Sequence, residues 1–162
     1  MEDKYSAEIY KKAGYINIVK MERIYRLDYL NRVVRDSINP DYVLIAPGLH
    51  DGVNMMNSIL EVVESNNNTT FLLKPHPRAN NEYVLKYNKL RNLEVTSSSI
   101  IELLSVVSKV YATYSSVAIE AYILGIKLEL YDVPGKINES PLCDNDYKDS
   151  ISSLYKKNKS VA

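Results

Sequence analysis

Short apolar runs rich in β-branched residues alternate with longer stretches of helical periodicity through the middle of this chain, and few folds accept that alternation. The runs are Tyr42–Ala46, Thr70–Lys74, Leu93–Thr96, Val110–Thr113 and Leu128–Tyr131, each the length of a buried strand. Helical patterns occupy Gly52–Glu64, Asn81–Lys89, Ile100–Val107 and Ser116–Leu124 between them. Pro47-Gly48 follows the first run, Pro75 and Pro77 follow the second, and Gly125 stands where a helix C-cap belongs. The expected architecture is α/β: a Rossmann-like parallel sheet of about five strands with helices on both faces. In such sheets ligands bind in a crevice at the carboxyl ends of the strands, so chemistry is sought in the loops that follow each run.

The 162 residues suffice for one ordinary domain and little more. Residues 41–142 are expected to form the nucleotide-binding domain. Residues 1–40 read as a helical connector or the remnant of a preceding domain, with helical stretches at Ala7–Lys12 and Lys20–Arg35 around a Tyr15–Val19 run. Tyr15, Ile18, Met21, Ile24, Tyr25 and Leu27 would give this segment an apolar face suited to the sheet, a homo-oligomer or another partner. Residues 143–162 read as a polar, Lys-rich tail with one weak turn around Ile151–Tyr155.

Twenty Lys and Arg balance twenty Asp and Glu, so no global field selects nucleic acid, and an anion would have to be bound locally. The lone Cys143 excludes an intramolecular disulfide and reads as a bystander. No apolar run approaches a transmembrane length, and the opening MEDKYSAEIYKK is charged where a signal peptide is apolar. The expected setting is cytoplasmic, extending to a peripheral position at the inner face of the membrane.

Three loops carry candidate chemistry. In Leu72-Leu73-Lys74-Pro75-His76-Pro77-Arg78 a strand stops at a histidine held between prolines, with Lys74 and Arg78 adding charge. Such an imidazole can donate to a phosphate oxygen, although a stiff solvated loop accounts for three residues equally well. In Tyr111–Ala121 a strand runs into Ser115 and Ser116 at a helix start, where unpaired N–H groups and hydroxyls suit a phosphate; ordinary capping is the alternative. Glu120 lies four residues past Ser116 on the same helix face, placed to chelate ribose hydroxyls, while Glu102 is a weaker candidate on the polar face of its own helix. The loop Ala46–Gly52 offers the flexible Gly48, His50 facing a donor sugar or its phosphate, and Asp51 as an N-cap.

Taken in order, Lys-Pro-His-Pro after a strand, the Ile101-Glu102-Leu103-Leu104 helix, and Tyr114-Ser115-Ser116 followed by Glu120-Ala121 resemble the C-terminal, donor-nucleotide-binding domain of GT-B glycosyltransferases. The resemblance is to bacterial sialyltransferases and polysialyltransferases, teichoic acid glycerophosphotransferases and surface carbohydrate biosynthesis proteins. It spans about Tyr42–Leu142, with Asn138–Leu142 similar to a segment after the last strand in the surface carbohydrate group.

This resemblance implies a donor activated by CMP or CDP, with UDP also open, a glycan acceptor of the capsule or surface-polysaccharide kind, and no cofactor or metal. It implies donor-phosphate contacts from His76, Ser115 and Ser116, with Lys74 and Arg78 as helpers. His76 would be catalytic by stabilising charge on the leaving phosphate. Glu120, or Glu102 in reserve, would hold the ribose. These enzymes usually draw their catalytic base from an N-terminal acceptor domain, and the segment before Asp41 is too short for one. The chain is therefore expected to be a fragment, a subunit whose N-terminal half is separately encoded and acts as its partner, or a decayed copy. A nucleotide-sugar 2-epimerase-like enzyme and a non-catalytic binding or assembly module stay open beside the transferase.

Overall fold

The computed structural model describes residues 4–17, 25–131 and 140–159. In chain order its elements are α1 (Lys4–Lys12), a 3-10 helix (Tyr25–Arg32), β1 (Asn39–Ala46), α2 (Gly52–Ser65), β2 (Thr70–Leu73), α3 (Val84–Tyr87), β3 (Leu93–Val95), α4 (Ile100–Val106), β4 (Val107–Ala112), α5 (Ser116–Ile123), β5 (Lys127–Leu130), a 3-10 turn (Pro141–Cys143) and α6 (Asn145–Lys159). They divide into two compact units, Val33–Ser140 and a second made of Met1–Arg32 with Pro141–Ala162.

The first unit is the expected α/β sheet. Five strands lie in the order β3-β2-β1-β4-β5, all parallel. β1 is central, with Ile45 opposite Leu73 on one side and Tyr111 on the other. The chain steps from β1 outward to β3, then crosses back to lay β4 on the other side of β1. Because parallel crossovers are right-handed, stepping in opposite directions puts the connecting helices on opposite faces.

On one face, Val43, Ile45, Phe71, Leu73 and Tyr111 meet Met55, Met56, Ile59 and Val63 of α2 and Val84 and Tyr87 of α3. The alternate strand residues Leu44, Leu72, Val110 and Ala112 are buried on the other face. There α4 packs on β1, and α5 on β4 and β5. Each fully buried Leu, Ile, Phe or Met contributes about 1.5–3 kcal/mol, so the sheet is the rigid part from which loops project.

Several boundaries differ from expectation for local reasons. β1 begins at Asn39, ahead of Tyr42, with an irregular register against β4 between Asn39 and Val43 that accommodates Pro40. Ser108 Oγ secures that irregularity by donating to the carbonyls of Pro40 and Tyr42, each at 2.9 Å. β4 starts at Val107 directly out of α4, and the Arg35 guanidinium secures this junction by donating to the carbonyls of Leu104 in α4 and Val107 in β4. The helix expected over Asn81–Lys89 shrinks to the single turn of α3, led in by tight bonds from Val84, Leu85 and Lys86 to carbonyls three residues back. It is anchored only at Val84 and Tyr87, with Leu85 exposed, and one turn meets that need.

In the second unit, the stretch expected to be a weak turn is a fifteen-residue helix, α6. Its Tyr147, Ile151 and Tyr155 recur every fourth residue and are all buried, a stripe hidden in sequence by the Lys and Ser around it. Tyr155 Oη donates to Asn31 Oδ1 at 3.3 Å, tying α6 to the 3-10 helix Tyr25–Arg32. Of the expected helix Lys20–Arg35, residues 20–24 lie outside the described residues, 25–32 form that 3-10 helix, and 33–35 have no regular structure. Leu27 is buried and Tyr15 is exposed, whereas Ile18, Met21 and Ile24 lie outside the described residues, as do residues 132–139.

Asp144 and Asp146 spell an Asp-x-Asp pair, but Asp144 Oδ1 accepts the Tyr147 N–H at 3.1 Å at the start of α6. Among the described residues no three His, Cys, Asp or Glu side chains gather as metal ligands would, and no helix is long and apolar enough to cross a membrane.

Candidate functional site

Strand order decides where a ligand can enter. The chain reverses its lateral direction between β1 and β4, so the loops after these two strands diverge to opposite faces and leave a crevice at their carboxyl ends. A cleft of about 470 Å³ opens there, in the range of small-molecule sites. Its walls are Ala46–Leu49 after β1, Lys74–Arg78 after β2, and Tyr114–Val117 with Glu120 after β4, with Ile100 at one side.

Two buried hydrogen bonds stitch the first and third walls together. Gly48 N–H donates to Thr113 Oγ1 at 3.1 Å, and Ser115 Oγ donates to the Ala46 carbonyl at 3.1 Å. Gly48 also lies so close to the Tyr114 ring that a Cβ would stand 2.9 Å from Cζ, so a side chain there would displace the ring.

The β2 exit is equally constrained. Lys74 N–H extends the ladder to the Ile45 carbonyl at 2.9 Å, and Lys74 Nζ donates to the Ser98 carbonyl at 2.7 Å. The prolines stop the ladder at this point. The chain turns back on itself, with Ala79 N–H reaching the His76 carbonyl at 3.0 Å. Arg78 N–H donates to His76 Nδ1 at 3.2 Å, so the neutral ring carries its proton on Nε2. His76 is thereby held as a hydrogen-bond donor on its far nitrogen, half-buried in the cleft wall. Arg78 is exposed beside it.

At the start of α5 the two serines have different surroundings. Ser115 occupies the N-cap position but is buried, and its hydroxyl bonds to β1 in place of capping the helix. Ser116 is exposed on the cleft wall. The first N–H groups of a helix lack intrahelical acceptors, and the start of α5, Ser116 and Val117, lines the same cleft. Glu120 is buried at 6% exposure, four residues along from Ser116, and lines the cleft.

The cleft therefore brings together Gly48, Lys74, His76, Arg78, Ser115, Ser116 and Glu120 from three separate stretches of sequence. Two other candidates lie outside its walls. Glu102 is bound into a capping box on α4: Ser99 N–H donates to its Oε2 at 2.8 Å, and its own N–H donates to Ser99 Oγ at 3.3 Å. His50 is exposed in the loop beyond the cleft wall. Asp51 does sit at the N-cap position of α2, but its side chain makes no capping bond. Tyr114 is a lining residue to which sequence reasoning gave no role. Its position between a strand end and a serine pair was visible, but its contact with Gly48, sixty-six positions away, was not.

Sequence comparison with protein-family models finds no match, and neither does comparison with curated proteins. Among solved structures the chain resembles the wall teichoic acid polymerase TagF, in a crystal soaked with CDPG, at 19% identity and a TM-score of 0.50, covering 96% of this chain and 50% of that one. It also matches two structures of KpsC from Thermosulfurimonas dismutans. One is its beta Kdo 2,4 transferase, at 16% identity and a TM-score of 0.48, covering 73% of this chain and 46% of that one. The other is its beta Kdo 2,7 transferase, at 20% identity and a TM-score of 0.45, covering 91% and 54%. The likeness to TagF is one of fold. The chain spans about half the length of the structures it matches.

Proposed function

We propose that this chain binds a nucleotide-activated donor, of the CMP or CDP kind, in the cleft at the carboxyl ends of β1, β2 and β4. It would serve as the donor-binding half of a glycosyl- or glycerophosphoryl-transferase of surface polysaccharide biosynthesis. The observation that carries this reading is the convergence of His76, Lys74 and Arg78 with the start of α5 and Glu120 on one cleft at the topological switch point. A basic cluster at the β2 exit of an otherwise largely apolar cleft, in a chain of zero net charge, is what a locally bound phosphate asks for. The fold shared with TagF, whose crystal was soaked with CDP-glycerol, supports the choice of donor class.

In this reading the donor phosphates lie against His76 Nε2–H, Ser116 and the α5 N–H groups, and Glu120 takes the ribose hydroxyls. As the bond from the leaving phosphate to the transferred group breaks, the phosphate oxygen gains negative charge, and these fixed donors stabilise it without reorganising. Transfer also requires a base to take the proton of the acceptor hydroxyl, a contribution of roughly 10² to 10⁴ in rate. We assign that base to a partner domain, so the purified chain should bind donor without turning it over.

Calorimetry with CMP, CDP and UDP tests the assignment. Binding of a cytidine nucleotide that weakens in His76→Ala and Ser116→Ala supports it. A folded chain that binds none of the three is an assembly module instead, and transfer by the chain alone would place the base within it.

A further inference from the structure

Asp51 is fully enclosed, at 0% exposure, and neither of its carboxylate oxygens accepts a hydrogen bond. An aspartate at a helix start ordinarily turns its side chain onto the first N–H groups. Here only the Asp51 backbone carbonyl serves α2, accepting from Met55 N–H at 2.8 Å, while the side chain points elsewhere. A buried carboxylate without partners is costly, so its persistence just behind a cleft wall asks for a purpose.

Its surroundings indicate one. On one side lies Tyr83, whose hydroxyl is likewise buried without a partner and whose ring stands so close to Gly52 that a Cβ there would meet it at 2.5 Å. On the other lies Gly48 of the cleft wall. A Cβ on Gly48 would stand 3.2 Å from Asp51 Oδ1 and 2.9 Å from Tyr114 Cζ, so carboxylate and ring are neighbours across a single glycine. Gly48 and Tyr114 both face the cleft, and Tyr114 is half-exposed there. Only a glycine and a rotatable ring separate the carboxylate from the ligand space.

A carboxylate offers acceptors and no donors, so its complement is a group rich in hydroxyl hydrogens, and its charge repels phosphate. The cleft is then polarised, with Lys74, His76 and Arg78 on the β2 side and Asp51 behind the β1 loop. We propose that Asp51 reads the hydroxyls of the polyol or sugar carried by the nucleotide donor, accepting a hydrogen bond past Gly48 when the Tyr114 ring turns off the glycine. This inference rests on the reading of the cleft as a nucleotide-donor site and adds which residue distinguishes an activated donor from its bare nucleotide.

Calorimetric titration of the whole chain with two pairs of ligands tests it: CDP-glycerol against CDP, and CMP-N-acetylneuraminate against CMP. In one pair the activated donor should bind about fivefold or more tighter than its nucleotide, the gain from one additional hydrogen bond to a charged group. Asp51→Ala removes both acceptor oxygens and should bring that ratio to about one, with the affinity for the bare nucleotide retained. Gly48→Ala, whose methyl fills the gap between Asp51 Oδ1 and the Tyr114 ring and keeps the carboxylate in the chain, should collapse the same ratio, and it decides the matter if Asp51→Ala fails to fold by circular dichroism. A wild-type ratio of about one in both pairs, a ratio that survives the folded variants, or an equal loss for donor and nucleotide overturns the role of Asp51 while leaving the donor site standing. A chain that binds neither nucleotide overturns the donor site and this inference together.

Discussion

Ser115 and Ser116 are adjacent in sequence, yet the structure separates their roles sharply enough for a paired test. Ser115 is 9% exposed, and its hydroxyl donates at 3.1 Å to the carbonyl of Ala46, itself buried, tying the end of β1 to the start of α5. Ser115→Ala removes that donor from a buried acceptor, a change that costs about 1–3 kcal/mol when the acceptor is left unsatisfied. Ser116 is exposed on the cleft wall, so Ser116→Ala should alter stability by no more than about 0.5 kcal/mol. Nucleotide binding should show the opposite ranking. Losing the Ser116 hydroxyl, a hydrogen bond to a charged phosphate, should weaken CDP or CMP binding by about 1–3 kcal/mol, or roughly 5- to 150-fold. Urea unfolding followed by circular dichroism reads the first quantity, and calorimetry of the folded variants reads the second. If Ser115→Ala left the unfolding midpoint in place yet weakened nucleotide as much as Ser116→Ala, the Ser115 hydroxyl would be a ligand and its bond to β1 incidental.

The remaining predictions probe other parts of the same unit. His76→Ala should weaken cytidine nucleotide binding by about 1–3 kcal/mol at unchanged stability, measured by calorimetry and melting; unchanged affinity would move the phosphate elsewhere. Glu102→Ala should remove the α4 capping box and cost about 1 kcal/mol in urea unfolding while leaving nucleotide affinity intact, since Glu102 stands outside the cleft. The Tyr83 phenol is pushed up to about 12, by burial first, then by the Asp51 and Tyr87 charges. Its folded value lies above the unfolded one, so its contribution to stability is complete below about pH 10 and is lost as pH rises from there through 12. Tyr83→Phe should therefore reduce the alkaline loss, read from unfolding midpoints across that window, and an unchanged profile would refute the assignment. Ile9, Tyr10, Tyr15 and Ile16 are exposed in the second unit, Ile16 at 92%, and sedimentation at rising concentration should reveal association; a monomer throughout would argue against a homo-oligomeric role for these residues.

The amino-acid sequence determined the strands, their parallel direction and the loops that carry polar chemistry, because period, β-branching and proline punctuation are local properties. The placement of His76 at a strand exit follows from Pro75 and Pro77 alone, and the single-cysteine, zero-charge composition already restricted how an anion could be held. Tertiary structure decided the rest. The order β3-β2-β1-β4-β5 opens the cleft between the loops after β1 and β4, and no local pattern in either strand encodes which neighbour it will take. The same is true of the fates of like residues. Glu120 faces the cleft while Glu102 caps its own helix, and Ser116 faces the cleft while Ser115 is tied to Ala46, because hydrogen-bond partners are set by what packs nearby. Asp51 shows the point most plainly: in sequence it is an ordinary helix cap, and only the approach of Tyr83 and of Tyr114 across Gly48 makes it an enclosed carboxylate beside the cleft.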